Sequence, residues 1–463
     1  MIFNSLPFLF FISSVLLVFY AIPHRFRWVL MLFASYFFYG FWKIEYLSLI
    51  SISTIIDYSS SRIIYESKKR LTRQLALAIS LMTNLGLLFF FKYSNWFLSD
   101  LVDVFNLSLV DSANQWRSGL NIILPVGISF YTFQTISYTL DVYSSKIKPE
   151  KNIFKFALFV SYFPQLVAGP IERYSRLRNQ LFTPIKLSGD NITFGLRLML
   201  YGFFIKMCVA DNIAPIVDQI FDQQQNASSA QLFSGMLLFG IQIFSDFHGY
   251  SLIAIGTARL FGVKLIDNFN SPYSATSIRD FWNRWHISLS TWFRDYLFIP
   301  LGGSRVNHLR LASNILIVFI ISGIWHGANW TFVVWGAVHG TAYLAFQWSG
   351  LNKSKSLIGW VLTMIIVFLA WVFFRSDNIQ SALDYIIRMS EFTEGSLQLV
   401  WNPIIASFIG LFLISDFIWQ NGNIHSWLET KPSTWRWLIY AFLLYSILAH
   451  AGTVSHPFIY FQF

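Results

Sequence analysis

Residues 358–374 read IGWVLTMIIVFLAWVFF, an apolar run without a charged side chain. A helix needs roughly 20 such residues to cross a bilayer, so a run of this kind predicts a membrane span. Similar runs lie on both sides of it. Beyond it are 403–419 and 435–450; before it are 6–23, 28–42, 46–65, 74–93, 120–143, 192–210, 230–247, 311–324 and 330–348. Together they predict an all-α polytopic membrane protein of about ten to twelve crossings. The run at 6–23 has no Lys or Arg before it and no small-x-small site after it, so it is expected to be the first span and not a cleavable signal.

Composition agrees with this reading. Hydrophobic residues make up 55% of the 463 and charged residues 12%, about half the share usual in soluble domains. With 49 Phe, 21 Tyr and 18 Trp, no water-soluble fold could hide the apolar surface, which excludes a soluble enzyme, a coiled coil and a disordered chain. The net charge of +10 is not gathered into a basic run interleaved with aromatics, so nucleic acid is not an expected partner. It fits Lys and Arg kept in cytoplasmic loops. Arg25 and Arg27 follow the first run and Lys68, Lys69, Arg70 and Arg73 the third, which places the N-terminus outside. The single cysteine, Cys208, excludes an intramolecular disulfide and a Cys-based metal cluster. With no internal repeat and no polar stretch of domain size, residues 1–463 are expected to form one membrane domain, its motif core at about 120–345.

Segment 153–171 is expected to be re-entrant. Lys146, Lys148, Lys151 and Lys155 stand at its start, Arg173, Arg176 and Arg178 follow it, and Pro164, Gly169 and Pro170 interrupt it. A short kinked span is the alternative. Broken backbone at membrane depth survives only when buried in protein or lining a wet cavity.

Polar side chains in such a chain are costly and mark sites. In 281–296, helical spacing puts Asp280, Arg284, Ser288, Thr291 and Asp295 on one stripe, with Asp280 and Arg284 spaced to pair. On that wheel His286 falls with Trp282, Leu289 and Phe293, where desolvation favours a neutral imidazole able to accept a proton. A core histidine bonded to a backbone carbonyl is the alternative. His326 lies between two apolar runs, flanked by Gly323 and Gly327, which remove bulk beside it. It is the main catalytic candidate, although the glycines suit tight helix packing equally well. Asp246 and His248 are spaced for a proton relay or for a buried pair at a helix break. His339 ranks below these as a packing residue. There is no G-x-S-x-G elbow, H-E-x-x-H or P-loop, and no acid–histidine set calls for a metal. Acyl transfer needs a base for the attacking hydroxyl, which two buried histidines can supply. The residues alone leave a glycan flippase, a small-molecule transporter or a scaffold open.

Several stretches carry a resemblance: Leu124–Phe130, Phe163–Ile171, 281–296 with Pro300-Leu301-Gly302-Gly303, Gly323–Asn329, Phe3-Asn4-Ser5 and the closing PFIYFQF of 457–463. Through them the chain resembles the membrane-bound O-acyltransferase (MBOAT) family, in the branch with the membrane subunit of bacterial alginate O-acetyltransferase. The resemblance implies a helical fold around a funnel or tunnel, with the principal histidine at His326 and the second at His286. Asn283, Arg284, Trp285, Trp325, Asn329, Asp246 and Tyr250 are expected to line the substrate tunnel. The resemblance also implies acetyl-CoA as donor with no bound cofactor, and a bacterial cytoplasmic membrane with its lipid around the protein. Expected partners are an extracytoplasmic acetyltransferase or a polymer-export subunit, acting on a polysaccharide of alginate or peptidoglycan type. A related branch carries D-alanyl groups to teichoic acid. Related proteins often read Asp-Phe-Ser-Gly-Tyr-Ser-Asp where this chain has His248 and Leu252 in the third and last positions.

Overall fold

The computed structural model describes residues 1–98, 124–167, 169–351, 356–399, 402–420, 422–451 and 458–461. Residues 120–123 of the 120–143 run, Ala168 of the second motif, and Pro457, Gln462 and Phe463 of the closing motif lie outside them. The described chain is helical, with no strand among these residues. By contact it divides into two compact units. One comprises Ser13–Val167 and Ile171–Ile185; the other is chiefly Lys186–Phe463 together with Ile2–Ile12.

After α1 (Leu6–Ala21), the first unit is built from α2 (His24–Gly40), α3 (Leu47–Glu66), α4 (Arg70–Leu98), α5 (Ile128–Tyr143), α6 (Ile153–Ser161) and α7 (Tyr174–Phe182). Helices α3, α4 and α5 are joined at depth by a polar knot around Asp57, which is fully buried. The Asn84 amide donates to both of its oxygens at 2.9 Å, and the Ser80 and Thr139 hydroxyls add further bonds.

The 153–171 segment turns back on itself. Asn152 caps α6 by accepting from Phe154 N at 2.9 Å and Lys155 N at 3.3 Å. The helix stops at Tyr162, ahead of Pro164, and a short turn, Phe163–Leu166, follows. Nine residues of helix cover only about 14 Å. Glu150 before the segment and Tyr174 after it meet at 2.5 Å, with Arg178 at 3.6 Å, so the chain returns to where it departed. Burial alone would raise the Glu150 carboxyl. Bonds from Tyr174 Oη and from the Asn152 and Lys151 amides, with the Arg178 guanidinium, outweigh burial and hold it below the usual value.

The second unit begins with α8 (Gly189–Asp222) and α9 (Ser229–Leu260). These two cross closely because glycines face each other. A Cβ at Gly195 would sit 2.7 Å from the Gly256 carbonyl oxygen, and one at Gly202 would sit 2.8 Å from that of Gly249. Within α8 the turns widen to π geometry over Ile205–Ala210, a form that often accompanies functional positions. Then come α10 (Ile278–Arg284), α11 (Ile287–Phe293), α12 (His308–His326), α13 (Trp330–Trp348), α14 (Leu357–Arg375), α15 (Ile379–Ser390), α16 (Pro403–Ile418), α17 (Ile424–Glu429) and α18 (Ser433–His450). Asparagines 307, 329, 378, 402 and 423 cap α12, α13, α15, α16 and α17 through their side-chain oxygens.

Among the described residues, α4, α8, α9, α12 and α14 are long and apolar enough to cross a membrane, which makes this a multi-pass membrane protein. The remaining apolar runs form helices that are shorter, such as α1 and α16, or that carry polar positions at depth, such as α3 with Asp57.

Candidate active site

The 281–296 stretch is not one helix. Helix α10 ends at Arg284, Trp285 is extended, and His286 takes a left-handed conformation at φ 42° and ψ 54° before α11 begins. The wheel that groups Asp280 to Asp295 on one stripe therefore does not exist beyond Arg284. Side chains other than glycine avoid this region, and holding one there costs on the order of 1–3 kcal/mol, a type of strain that concentrates at functional sites. The turn is braced from outside. Ile287 N donates to the Asn268 carbonyl at 2.9 Å, and Ser288 Oγ donates to Asn268 Oδ1 at 2.6 Å. Asn270 N donates to the Arg284 carbonyl at 2.9 Å. Arg284 itself pairs with Asp280 at 2.8 Å, as the spacing predicts, and reaches the Asn270 carbonyl at 3.2 Å.

The turn swings His286 into the interior, where it is fully buried. Its ring lies 6.4 Å from that of His326, which closes α12 and is 2% exposed. Aromatic rings surround the pair. Phe247 stands edge-on to His286 at 4.7 Å; Trp325 and Trp335 lie 5.0 Å from His326 and Phe374 5.4 Å. Tyr460, in the short turn Ile459–Phe461, lies 5.6 Å from His326 and 6.4 Å from His286. The chamber thus draws on α9, α12, α13, α14, the 286 turn and the C-terminal turn. Rings excluding water around two imidazoles make a setting in which a proton can be passed without competition from solvent.

Other residues singled out in the sequence have different places. Trp325 shares the chamber. Trp285 faces the other way, packed on Phe269 at 5.0 Å and Trp371 at 5.1 Å. Arg284 serves the brace. Asn283 is exposed at the edge of a cavity of about 290 Å³. Asn329 caps α13 and donates to the Asp377 carbonyl at 2.6 Å. Tyr250 donates to Asn4 Oδ1 at 3.0 Å. Asp246 is not at a helix break and does not pair with His248; it lies inside α9, 2.6 Å from Lys206, which is also 2.6 Å from Asp211. His248 stacks on Phe244 at 5.4 Å and borders a cavity of about 390 Å³. Ile287, next to His286, borders both cavities. His339 Nδ1 accepts from Trp282 Nε1 at 3.3 Å, a packing bond. The space beside Gly323 and Gly327 is filled: added Cβ atoms would meet the Phe332 carbonyl oxygen at 2.1 Å and its ring at 2.0 Å. These glycines serve the junction of α12 and α13.

Lys206, Asn268, Trp335, Phe374 and Tyr460 escaped individual notice. Lys206 carried a signal, being a charge inside the 192–210 run. Tyr460 lies within a quoted motif, but nothing local in sequence ties it to the histidines. Among the described residues no group of three or more His, Cys, Asp or Glu side chains is placed to hold a metal.

Membrane-crossing helices that enclose two buried histidines in an aromatic chamber have the architecture of an integral membrane enzyme. The chain belongs to the membrane-bound O-acyltransferase family, whose profile matches residues 143–375, and is an O-acyltransferase. It is 37% identical over 403 residues to a probable alginate O-acetylase of Azotobacter vinelandii, covering 86% of this chain and 79% of that protein. It is 37% identical over 424 residues to a peptidoglycan O-acetyltransferase of Helicobacter pylori, covering 83% and 78%. To a teichoic acid D-alanyltransferase of Bacillus subtilis it is 28% identical over 271 residues, covering 53% and 67%.

Proposed function

We propose that this protein is an O-acetyltransferase of a bacterial cytoplasmic membrane that passes an acetyl group from cytoplasmic acetyl-CoA towards a cell-surface polysaccharide of alginate or peptidoglycan type. The observation that carries the chemistry is the pair His286 and His326, 6.4 Å apart within one buried cluster of aromatic rings. The names of the relatives support the acyl group and the acceptor class.

In this reading a neutral His326 accepts the proton of an attacking hydroxyl as its oxygen bonds to the thioester carbonyl carbon. The C–S bond then breaks, and the imidazolium returns the proton to the leaving thiolate. His286 shares that proton or orients the carbonyl from the other side of the gap. Tyr460 narrows the chamber beside both rings. Trp325 lines the site beside His326 and Arg284 braces the turn that carries His286; Asn283, Trp285, Asn329, Asp246 and Tyr250 stand outside direct ring contact with the pair. The phosphates of acetyl-CoA suit loops rich in Lys and Arg. An extracytoplasmic acetyltransferase or export subunit would complete transfer to the polymer.

The test is ester-linked acetate on the host's surface polymers, compared between wild type and His326→Ala at matched membrane abundance. Loss of acetate is the expected outcome, and the polymer that loses ester names the acceptor. Unchanged acetate in a strain whose acetylation depends on this gene overturns the role of His326. The Bacillus subtilis relative favours one alternative, D-alanyl transfer from a carrier protein; labelled D-alanine reaching the cell wall, with acetate untouched by deletion of the gene, would establish it.

A further inference from the structure

We infer that Asp246 is a positioning residue: its carboxylate pins the C-terminal segment so that Tyr460 stands against the histidine pair. This rests on the acyltransferase reading given above. Asp246 sits in the middle of α9, 3% exposed. One of its oxygens, Oδ1, lies 2.6 Å from Lys206 Nζ; the other, Oδ2, accepts the backbone N–H of Ile459 at 2.7 Å. Each oxygen therefore has its own task. The first is tied to a cation held in turn by Asp211 at 2.6 Å. The second reaches across to a peptide group more than two hundred residues later in the chain.

The segment so held is packed as well as bonded. Phe458 is fully buried, with its ring 4.6 Å from Tyr250 and 5.5 Å from Phe247, both neighbours of Asp246 along α9. Ile459 is 3% exposed. Tyr460, the next residue, lies 4.8 Å from Phe247 and within ring contact of both histidines. Ile459 opens its turn, a position at which the N–H has no partner inside the turn. Asp246 supplies that partner with a charged acceptor, which makes a stronger bond than a neutral one. Lys206, 2.6 Å from the other oxygen, keeps the carboxylate aimed, because a carboxylate at this depth without a cation would be expensive to hold. Charge on α8 is thereby converted into the placement of an aromatic side chain in the reaction chamber.

Two variants approach the bond from opposite ends. Asp246→Ala deletes the acceptor. Ile459→Pro deletes the donor, together with the buried isoleucine side chain, at a first-turn position that proline tolerates, and leaves the ion cluster intact, so it keeps the test open if Asp246→Ala fails to fold. Asp246→Asn retains an oxygen able to accept from Ile459. For purified, monodisperse, folded protein, Ile459→Pro and Asp246→Ala are expected to lower kcat for acetyl transfer by about 100-fold, the scale of an ångström-sized misplacement, with KM for acetyl-CoA unchanged. Asp246→Asn should keep most of kcat. Hydrogen exchange gives a readout independent of catalysis: the amides of Tyr460 and Phe461 should exchange faster in both crippled variants than in wild type.

Unchanged exchange in Asp246→Ala and Ile459→Pro overturns the pin. Faster exchange with kcat preserved overturns its role in positioning. A fall in kcat matched by a rise in KM for acetyl-CoA also overturns it, by placing Asp246 in donor binding. If wild type transfers no acetyl at all, the acyltransferase reading fails, while the exchange measurement still decides whether Asp246 holds the segment.

Discussion

Two buried aspartates, one in each compact unit, are satisfied in opposite ways. Asp57 is surrounded by neutral donors, with both oxygens bonded by one amide and further bonds from Ser80 and Thr139. Asp246 faces Lys206, which is itself shared with Asp211. The first arrangement spreads a carboxylate over many weak partners on three helices and ties those helices together. The second concentrates attraction on one cation and leaves an oxygen free to hold a distant peptide group. The contrast shows that a costly side chain at membrane depth can be helix glue in one place and a strut for the reaction chamber in another. Its partners tell which, not its depth.

The sharpest way to break this comparison is Lys206→Met. It leaves Asp211 and Asp246 buried and close together without their cation, and stripping one partner from a buried ion pair costs about 3–5 kcal/mol. Thermal unfolding in detergent should show the loss, and a melting temperature close to wild type would mean that the contacts of Lys206 with Asp211 and Asp246 do not hold the fold together. Next in size is Asp57→Ala, which takes the shared acceptor away from the Asn84 amide and the Ser80 and Thr139 hydroxyls and should cost about 1–3 kcal/mol. Transfer per folded molecule should be untouched, because the described bonds of Asp57 run to Asn84, Ser80 and Thr139 and not to the histidines; a large loss of specific activity would remove the distinction between the two aspartates. The smallest effect belongs to Asp57→Asn, which keeps one acceptor oxygen among neutral donors and should cost under about 1 kcal/mol. A penalty as large as that of Asp57→Ala would show that Asp57 needs its charge.

Much of the fold was legible because membrane spans announce themselves through composition alone. The Asp280–Arg284 pair was also readable, since its partners lie within about one helical turn of each other. His326 stood out as a histidine between apolar runs. What periodicity could not foresee is a residue other than glycine in a left-handed turn, and the break at His286 made the wheel over 281–296 invalid even though His286 is buried as that wheel implied. Asn329 shows a related blind spot: the same asparagine that marks a motif is spent on a cap. Lys206 with Asp246, and Tyr460 with the histidines, are pairings between elements far apart in the chain, and spacing rules that work within one helix carry no information about them.

The left-handed turn at His286 has a consequence for how this protein would change under different demands. Glycine would adopt φ 42° there without the Cβ penalty, and asparagine with less of it. A library propagated only for abundance in the membrane, with no requirement for acyl transfer, should drift at position 286 towards glycine or asparagine. The same library kept under selection for the modified polymer should retain histidine. Position 286 would then record which of the two pressures a lineage has lived under.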